Sequence, residues 1–341
     1  MSRVLLVGNP TAQSGKNRER IGRAKALIEG AGSRCELFDT LPAGKTIPAL
    51  TQRLDRGGLD IVAAMGGDGT FREVGAALIA SERREEIAMG MLPTGTANDQ
   101  GKSFNLDASA AALPKNIEVL LGGRETRLDA GRIVLTTKEG PQPAEMFFDS
   151  AGFGFTARVL GVRNQDRANV DKLGPLRELY RDKLVYTGAF VKTFLASYVD
   201  DHKFDAKVGF EAPSPRGSDK AERAYFGLTD LIVKATRVYA GSWVFDPSSK
   251  HDDGLFEVVP FVGKADWTSK ALLHIEGNPI TEEMLNTIGV AHSPLFRARR
   301  LTISLEPHGD EAVPAQIDGE ERPAVTRIEV EVIPRAFRLI V

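Results

Sequence analysis

The 341-residue chain holds a single cysteine, Cys35, so no disulfide can form within it and a zinc site built on cysteines is excluded. A reducing cytosol suits that composition. Charge of one sign is also missing: 44 Lys and Arg face 46 Asp and Glu, a net charge of -2, which argues against a nucleic-acid binder that depends on a bulk positive field. Partners must be recognised locally. No apolar run approaches about 18 residues, so no span of a bilayer is expected. The first strand-like run, Val4 to Val7, reaches Asn9-Pro10 too soon for a secretory leader. Internal repeats and long low-complexity tracts are absent. The length exceeds what one core usually serves, and two domains are expected.

What is present falls into two patterns. Up to about residue 125, short apolar runs alternate with helical periodicity. Strands are expected at Val4–Val7, Arg34–Phe38, Ile61 onward and Ile87–Leu92, with helices at Lys16–Gly30, Ile47–Arg56 and Phe71–Ser81. That alternation implies a parallel sheet with crossovers, whose ligand crevice lies at the carboxyl ends of the strands. From about Leu128 the runs become rich in β-branched and aromatic residues, as in Arg132–Leu135, Leu228–Val233 and Leu255–Phe261, and suggest antiparallel strands. Between them, Gly174–Tyr198 reads as an amphipathic helix, either packed on the core or facing lipid as a lid. The polar stretch Ala212–Ala221 reads as a surface excursion.

The chemistry concentrates in three turns that follow strands. Gly66-Gly67-Asp68-Gly69-Thr70 ends the third strand. Its glycines permit positive φ and close approach of an anion, and Thr70 with Glu73 has capping-box spacing, which places a helix start there. The spacing matches neither G-x-G-x-x-G nor the P-loop. A carboxylate in a phosphate cradle needs either a cation beside it or a proton to accept. A glycine turn capped for stability alone would need neither. Asn9-Pro10 through Gly15-Lys16 opens the first helix and could hold phosphate, although a lysine there is commonly just solvated. Pro93-Thr94-Gly95-Thr96-Ala97-Asn98-Asp99 crowds hydroxyls, an amide and a carboxylate into seven positions, more than helix capping requires.

These motifs, with the late Asp318-Gly319-Glu320, resemble the diacylglycerol kinase catalytic family, which includes bacterial soluble lipid kinases, sphingosine kinases and ceramide kinases. The resemblance implies an α/β fold: a Rossmann-like N-terminal domain with a parallel sheet (residues 1–127, with 325–341 packing back on it) and a C-terminal β-sandwich domain holding lipid (128–324). ATP and Mg²⁺ would lie between them. It implies an ATP-dependent lipid kinase that transfers the γ-phosphoryl group to a lipid hydroxyl of diacylglycerol, sphingoid or ceramide type. Carried over by position, Asn9, Lys16, Thr40, Gly66, Gly67, Asp68, Gly69, Thr70, Thr94, Gly95, Thr96, Asn98, Lys102 and Glu320 would line the nucleotide. Asp68 and Asp99 would organise magnesium through water. The resemblance offers either Asp318 or Asp68 as general base; Asp318 is the preferred assignment, although Asp-Gly is also a good hairpin turn.

Some positions depart from the family. Gln100-Gly101-Lys102 replaces its aromatic or leucine, small residue and arginine, leaving Lys102 as a point charge. Lys250-His251-Asp252-Asp253-Gly254-Leu255 resembles a structural Mg²⁺ loop, with Asp253 matching and Lys250 in a ligand position. His251 has no second histidine or cysteine at zinc-ligand spacing. Arg297 and Arg299 would share a strand face that could meet anionic headgroups. Other readings are an NAD kinase-like small-molecule kinase, whose serine-rich signature is absent, and a catalytically silent lipid-binding protein on the same fold. The expected setting is cytoplasmic, peripheral at a membrane surface with a lipid alcohol as partner, without nucleic acid or a transmembrane segment, and compatible with a homodimer.

Overall fold

In the computed structural model the described residues are 1–10, 16–95, 98–158, 160–161, 202–214, 217–240, 243–263, 266, 270, 282–287, 289 and 292–341. The expected helix over 174–198 lies outside them.

The chain begins with β1 (Arg3–Gly8), α1 (Lys16–Gly30), β2 (Arg34–Asp39), α2 (Thr46–Asp55), β3 (Ile61–Gly66), α3 (Asp68–Ala80), β4 (Ala88–Pro93), α4 (Asp99–Ser103) and α5 (Leu113–Gly122). The strands pair in parallel in the order β4-β3-β1-β2. Side chains alternate across a strand, and that alternation builds three layers here. Val4, Leu6, Ala63 and Met65 point to one face and pack with Ile21, Ala24 and Ile28 of α1 and Leu113 and Ile117 of α5. Leu5, Val7, Val62 and Ala64 point to the other and meet Leu50 and Leu54 of α2 and Phe71, Val74 and Leu78 of α3. Both faces are covered, which is why these strands read as continuous apolar runs.

The remaining elements are β5 (Glu125–Thr137), β6 (Gly140–Pro141), β7 (Glu145–Phe147), β8 (Ser150–Gly154), β9 (Phe204–Ser214), β10 (Gly217–Lys234), β11 (Phe256–Val262), α6 (Glu282–Thr287), β12 (Phe296–Ala298), β13 (Arg300–Pro307), β14 (Val313–Ile317), β15 (Glu320–Val325) and β16 (Arg327–Ile340). They continue the same hydrogen-bonded sheet in the order β15-β14-β8-β10-β9-β13-β16. Apart from the join to β4, their pairings are antiparallel. Residues of β8, β9, β10, β13, β14 and β16 converge on one apolar cluster, including Phe153, Val208, Leu231, Ile303, Ile317 and Ile328, so this part of the sheet folds over itself.

The long strand β16 joins the two parts. Its first half runs antiparallel to β5 and β13, and near its end Leu339 pairs in parallel with Met89 of β4. Ala336, Phe337 and Leu339 consequently share a core with Leu5, Val62 and Val74. Phe148, between β7 and β8, stands at this junction: its ring meets Phe71 and Phe337 edge-on, with centroids 5.7 and 5.8 Å away. Gly75 of α3 makes room for it, since a Cβ there would lie 2.7 Å from Phe148 Cζ. Phe148→Ala is therefore expected to cost about 3–5 kcal/mol, read as a lower midpoint in urea unfolding.

Two local expectations are corrected. Thr70 and Glu73 form no capping box: α3 begins at Asp68, with Gly67 as its N-cap and no side-chain cap bond. Thr70 is already inside the helix, and Glu73 reaches Thr46 of α2. Within the stretch 212–221, residues 212–214 and 217–221 lie on paired strands and not in a loop, with Ser214 paired to Gly217 and Ala221 to Phe210. Asp219 and Lys220 sit on a strand although their side chains are exposed, because the backbone ladder continues there.

Candidate active site

β3 and β4 end side by side, and their following turns are pressed together. The Thr94 amide donates to the Gly66 carbonyl at 2.8 Å. A Cβ on Gly95 would stand 2.5 Å from Gly67 Cα, and one on Gly66 would collide with Thr70 Oγ1. None of Gly66, Gly67, Gly69 and Gly95 has positive φ, so glycine is required here for space and not for a left-handed backbone. Asn98 supplies the left-handed residue, at φ 51°, and clamps the turn by accepting the Gly95 amide at 2.9 Å and donating back to the Gly95 carbonyl. Such a position suits Asn better than most residues.

Asp68 opens α3 and leans on the start of α4. Its carboxylate accepts the Gln100 amide at 3.4 Å and is also bonded by the amides of Asn98 and Asp99. Burial pushes its proton affinity up, and those amides pull it back down. Asp99, itself buried, is the first residue of α4.

Asp318 approaches from the other half of the chain. Ile317 pairs with Glu320, leaving Asp318 and Gly319 as a two-residue turn with φ of 47° and 73°, the geometry of a type I′ hairpin. The turn and the buried acid are thus one feature. The Asp318 carboxylate accepts the amides of Phe148 (3.1 and 3.2 Å), Asp149 (2.8 Å) and Ser150 (3.1 Å). Burial nevertheless outweighs these bonds and the nearby Arg72, and raises its pKa to about 7.

Asp149, next to this seat, was not legible in the sequence. It is buried, and its proton affinity is raised well above the ordinary range by that burial and by the charges of Asp99, Asp318 and Asp68, against a counter-pull from the buried Lys234. Lys234 in turn donates to Glu257 and to the Arg237 carbonyl, both at 3.0 Å. A lone Asp after a strand carries no signal until the fold sets three other carboxylates around it. Gln100, the departure noted above, donates to the Phe148 carbonyl. Asp149 Oδ1 and Gln100 Oε1 are buried acceptors with no hydrogen-bond partner. Among the described residues no three Asp, Glu, His or Cys side chains stand close enough to hold a bare ion. Oxygen acceptors of this kind fit a cation that keeps its water shell, as magnesium does.

Glu320 lies beside the glycine turn: a Cβ on Gly69 would be 3.1 Å from its Oε1. It is ion-paired with Arg72 of α3 and with Arg322. The other expected residues border the same end of the parallel sheet. The Asn9 carbonyl accepts Asn17 Nδ2 at 2.7 Å, the Thr40 amide donates to the Gly8 carbonyl at 3.0 Å, and Lys16 opens α1. Lys102 is exposed in the last turn of α4. Thr96 lies outside the described residues.

Away from this site, Asp253 already has a cation beside it. Arg297 Nη1 stands 3.7 Å from Asp253 Oδ2, and Asp253 Oδ1 accepts the Leu255 amide, an arrangement that does not fit a divalent ion. Arg297 is also tied to Asp246 at 2.6 Å, and Arg300 to Glu331 at 2.9 Å. His251 bonds Thr126 at 2.9 Å.

Residues 3–133 match the family model "Diacylglycerol kinase catalytic domain". The chain is 34% identical over 137 residues to a probable lipid kinase YegS-like of Cronobacter sakazakii, covering 39% of this chain and 40% of that relative. With a diacylglycerol kinase of Staphylococcus saprophyticus the identity is 27% over 131 residues, 38% of this chain and 41% of the relative. The chain thus spans about two fifths of the length of the curated relatives it matches. The crystal structure of a diacylglycerol kinase from Bacillus anthracis superposes over 99% of this chain and 96% of that one, with a TM-score of 0.64 at 15% identity, a likeness of fold. No helix among the described residues is long and apolar enough to cross a membrane. The glycine turns, Asp68 and Asp99 all lie within residues 3–133, the span that matches the diacylglycerol kinase catalytic-domain model.

Proposed function

We propose that the protein is an ATP-dependent lipid kinase with a lipid alcohol as acceptor. The observation that carries this reading is the meeting of two halves: Asp318, seated on the amides of 148–150, and Asp68 with Asp99, beside the paired glycine turns, all bear on Asp149. The first half suits a hydroxyl that must lose a proton. The second suits a nucleotide, because the close-packed glycines leave backbone free to approach phosphate at the N-terminal end of α3.

In this reading Asp318 accepts the proton of the lipid hydroxyl as its oxygen bonds to the γ-phosphorus and the bond from phosphorus to the β,γ-bridging oxygen breaks, releasing ADP. Asp68 and Asp99 would hold hydrated magnesium, which when bound would supply charge neutralisation at the phosphates. Lys16, Thr40 and Asn9 border the nucleotide, and Lys102 adds a positive charge at the rim. In this reading residues 1–127 with 325–341 serve the nucleotide and residues 128–324 serve the lipid. The protein works at a membrane surface without spanning it.

Incubating the purified protein with labelled ATP, Mg²⁺ and mixed micelles of diacylglycerol, sphingosine, ceramide or phosphatidylglycerol tests this. Label in one lipid is the expected outcome; label in NAD alone, or in nothing, overturns it. Asp68→Asn is expected to weaken ATP binding as well as turnover. Calorimetric titration with ATP and Mg²⁺ should give an affinity lower by tenfold or more, the scale of one lost charged contact.

A further inference from the structure

Arg72 extends from the first turns of α3 to the hairpin that carries Asp318. Its side chain is only 13% exposed. It is ion-paired with Glu320, two residues beyond Asp318, and Nη1 stands 3.4 Å from Glu145 Oε2 of β7. Arg322 of β15 grips the same two carboxylates. It donates to Glu145 through Nε at 3.1 Å and Nη2 at 2.8 Å, and reaches Glu320 at 3.3 Å. Two arginines and two glutamates therefore form a closed ring across three elements. Each glutamate is shared by both arginines, so removing one arginine unbalances the whole ring.

The ring spans the two halves of the proposed site. On one side α3 carries Asp68 at its first position; on the other the hairpin carries Asp318 at its tip. The backbone ladder of β14 and β15 fixes the hairpin to its own half but does not set its distance from α3. We propose that Arg72 is a positioning residue that locks the Asp318–Glu320 turn onto α3, keeping Asp318 seated opposite Asp68. This rests on the reading of Asp318 as the acceptor-side base. Arginine suits this place because its planar guanidinium holds two spatially separate donors in a fixed geometry toward two carboxylates, whereas lysine offers one compact ammonium.

Three variants test it. Arg72→Met is expected to lower kcat on the order of tenfold to a hundredfold, the scale of a reacting group displaced by about 1 Å, while KM for ATP stays within about twofold. Arg72→Lys should recover part of that loss. Arg72→Met combined with Glu320→Gln should lose little more than Arg72→Met alone, since both break one ring. Hydrogen exchange provides a readout independent of activity. The amides of Asp149 and Ser150, which donate to Asp318, should exchange several-fold faster in Arg72→Met while amides in the middle of α3 stay unchanged. Wild-type kcat in Arg72→Met, or unaltered exchange at 149 and 150, overturns the proposal. A wild-type protein that phosphorylates no lipid would overturn the kinase reading instead, and the exchange measurement would still decide the role of Arg72.

Discussion

Asp318→Asn is expected to lower phosphoryl transfer by roughly 10²- to 10⁴-fold, the usual contribution of a positioned proton acceptor, while ATP still binds. The variant should remain folded. Asparagine tolerates the left-handed φ of 47° at this position, and its carbonyl oxygen can keep the amides of Phe148, Asp149 and Ser150. Only the second contact with the Phe148 amide turns into donor against donor.

The pH dependence separates this from simple structural damage. With a pKa raised to about 7, the Asp318 carboxyl is protonated in the folded chain at pH values where the unfolded chain has already lost that proton. Between the ordinary carboxylate range and about pH 7 the native state holds the extra proton, so this group's contribution to stability falls as pH rises through that window. Turnover moves the other way, because only the ionised form accepts a proton. The rate should climb with pH up to about 7 in the wild-type protein, and the residual rate of Asp318→Asn should lack that limb. Kinetics from pH 5 to 9 with unfolding midpoints at each pH would check both. Near-normal turnover in Asp318→Asn would remove Asp318 as the base and return the choice to Asp68.

Gly95→Val is the second substitution with a large expected effect. A Cβ at this position would stand 2.5 Å from Gly67 Cα and 3.0 Å from Asn98 Oδ1, and the nearest obstacle is backbone, which cannot rotate away. The two turns would have to separate, breaking the Thr94 to Gly66 bond and the Asn98 clamp. Overpacking of this kind costs about 1–3 kcal/mol. The larger loss is to nucleotide, since the surface that the turns form together would no longer exist. Thermal unfolding with and without ATP and Mg²⁺ should show a lowered midpoint and no stabilisation by nucleotide. A variant that ATP still stabilises like wild type would show that the turns are structural only.

These effects show how unevenly the site could be read beforehand. The strands and helices of the first 125 residues follow from apolar periodicity, because β1, β3 and β4 are buried on both faces and are almost continuously hydrophobic, while the edge strand β2 is more polar. The glycine turns and the Asn98-Asp99 pair were visible as motifs, yet the reason for glycine was not. Positive φ and close approach of an anion are what the motif suggests; these glycines have no positive φ, and the structure adds a demand for space between Gly67 and Gly95, which are far apart in sequence. Thr70 and Glu73 have capping spacing, but nothing local distinguishes a cap from a helix already under way at Asp68. Arg72 and Asp149 passed unnoticed because each gains meaning only from partners far along the chain.

Local pattern was therefore enough for the parallel α/β half, its phosphate-suited turns, and the Asp-Gly hairpin at 318–319, all of which depend on neighbours within a few residues. It could not decide where that hairpin sits. Asp318 is a solvated turn or a buried carboxyl according to whether β14 pairs with β8 and brings it onto the amides of 148–150. Its proton affinity, the carboxylates around Asp149 and the ring through Arg72 arise from burial and charge across distant segments, and those quantities exist only once the chain has folded.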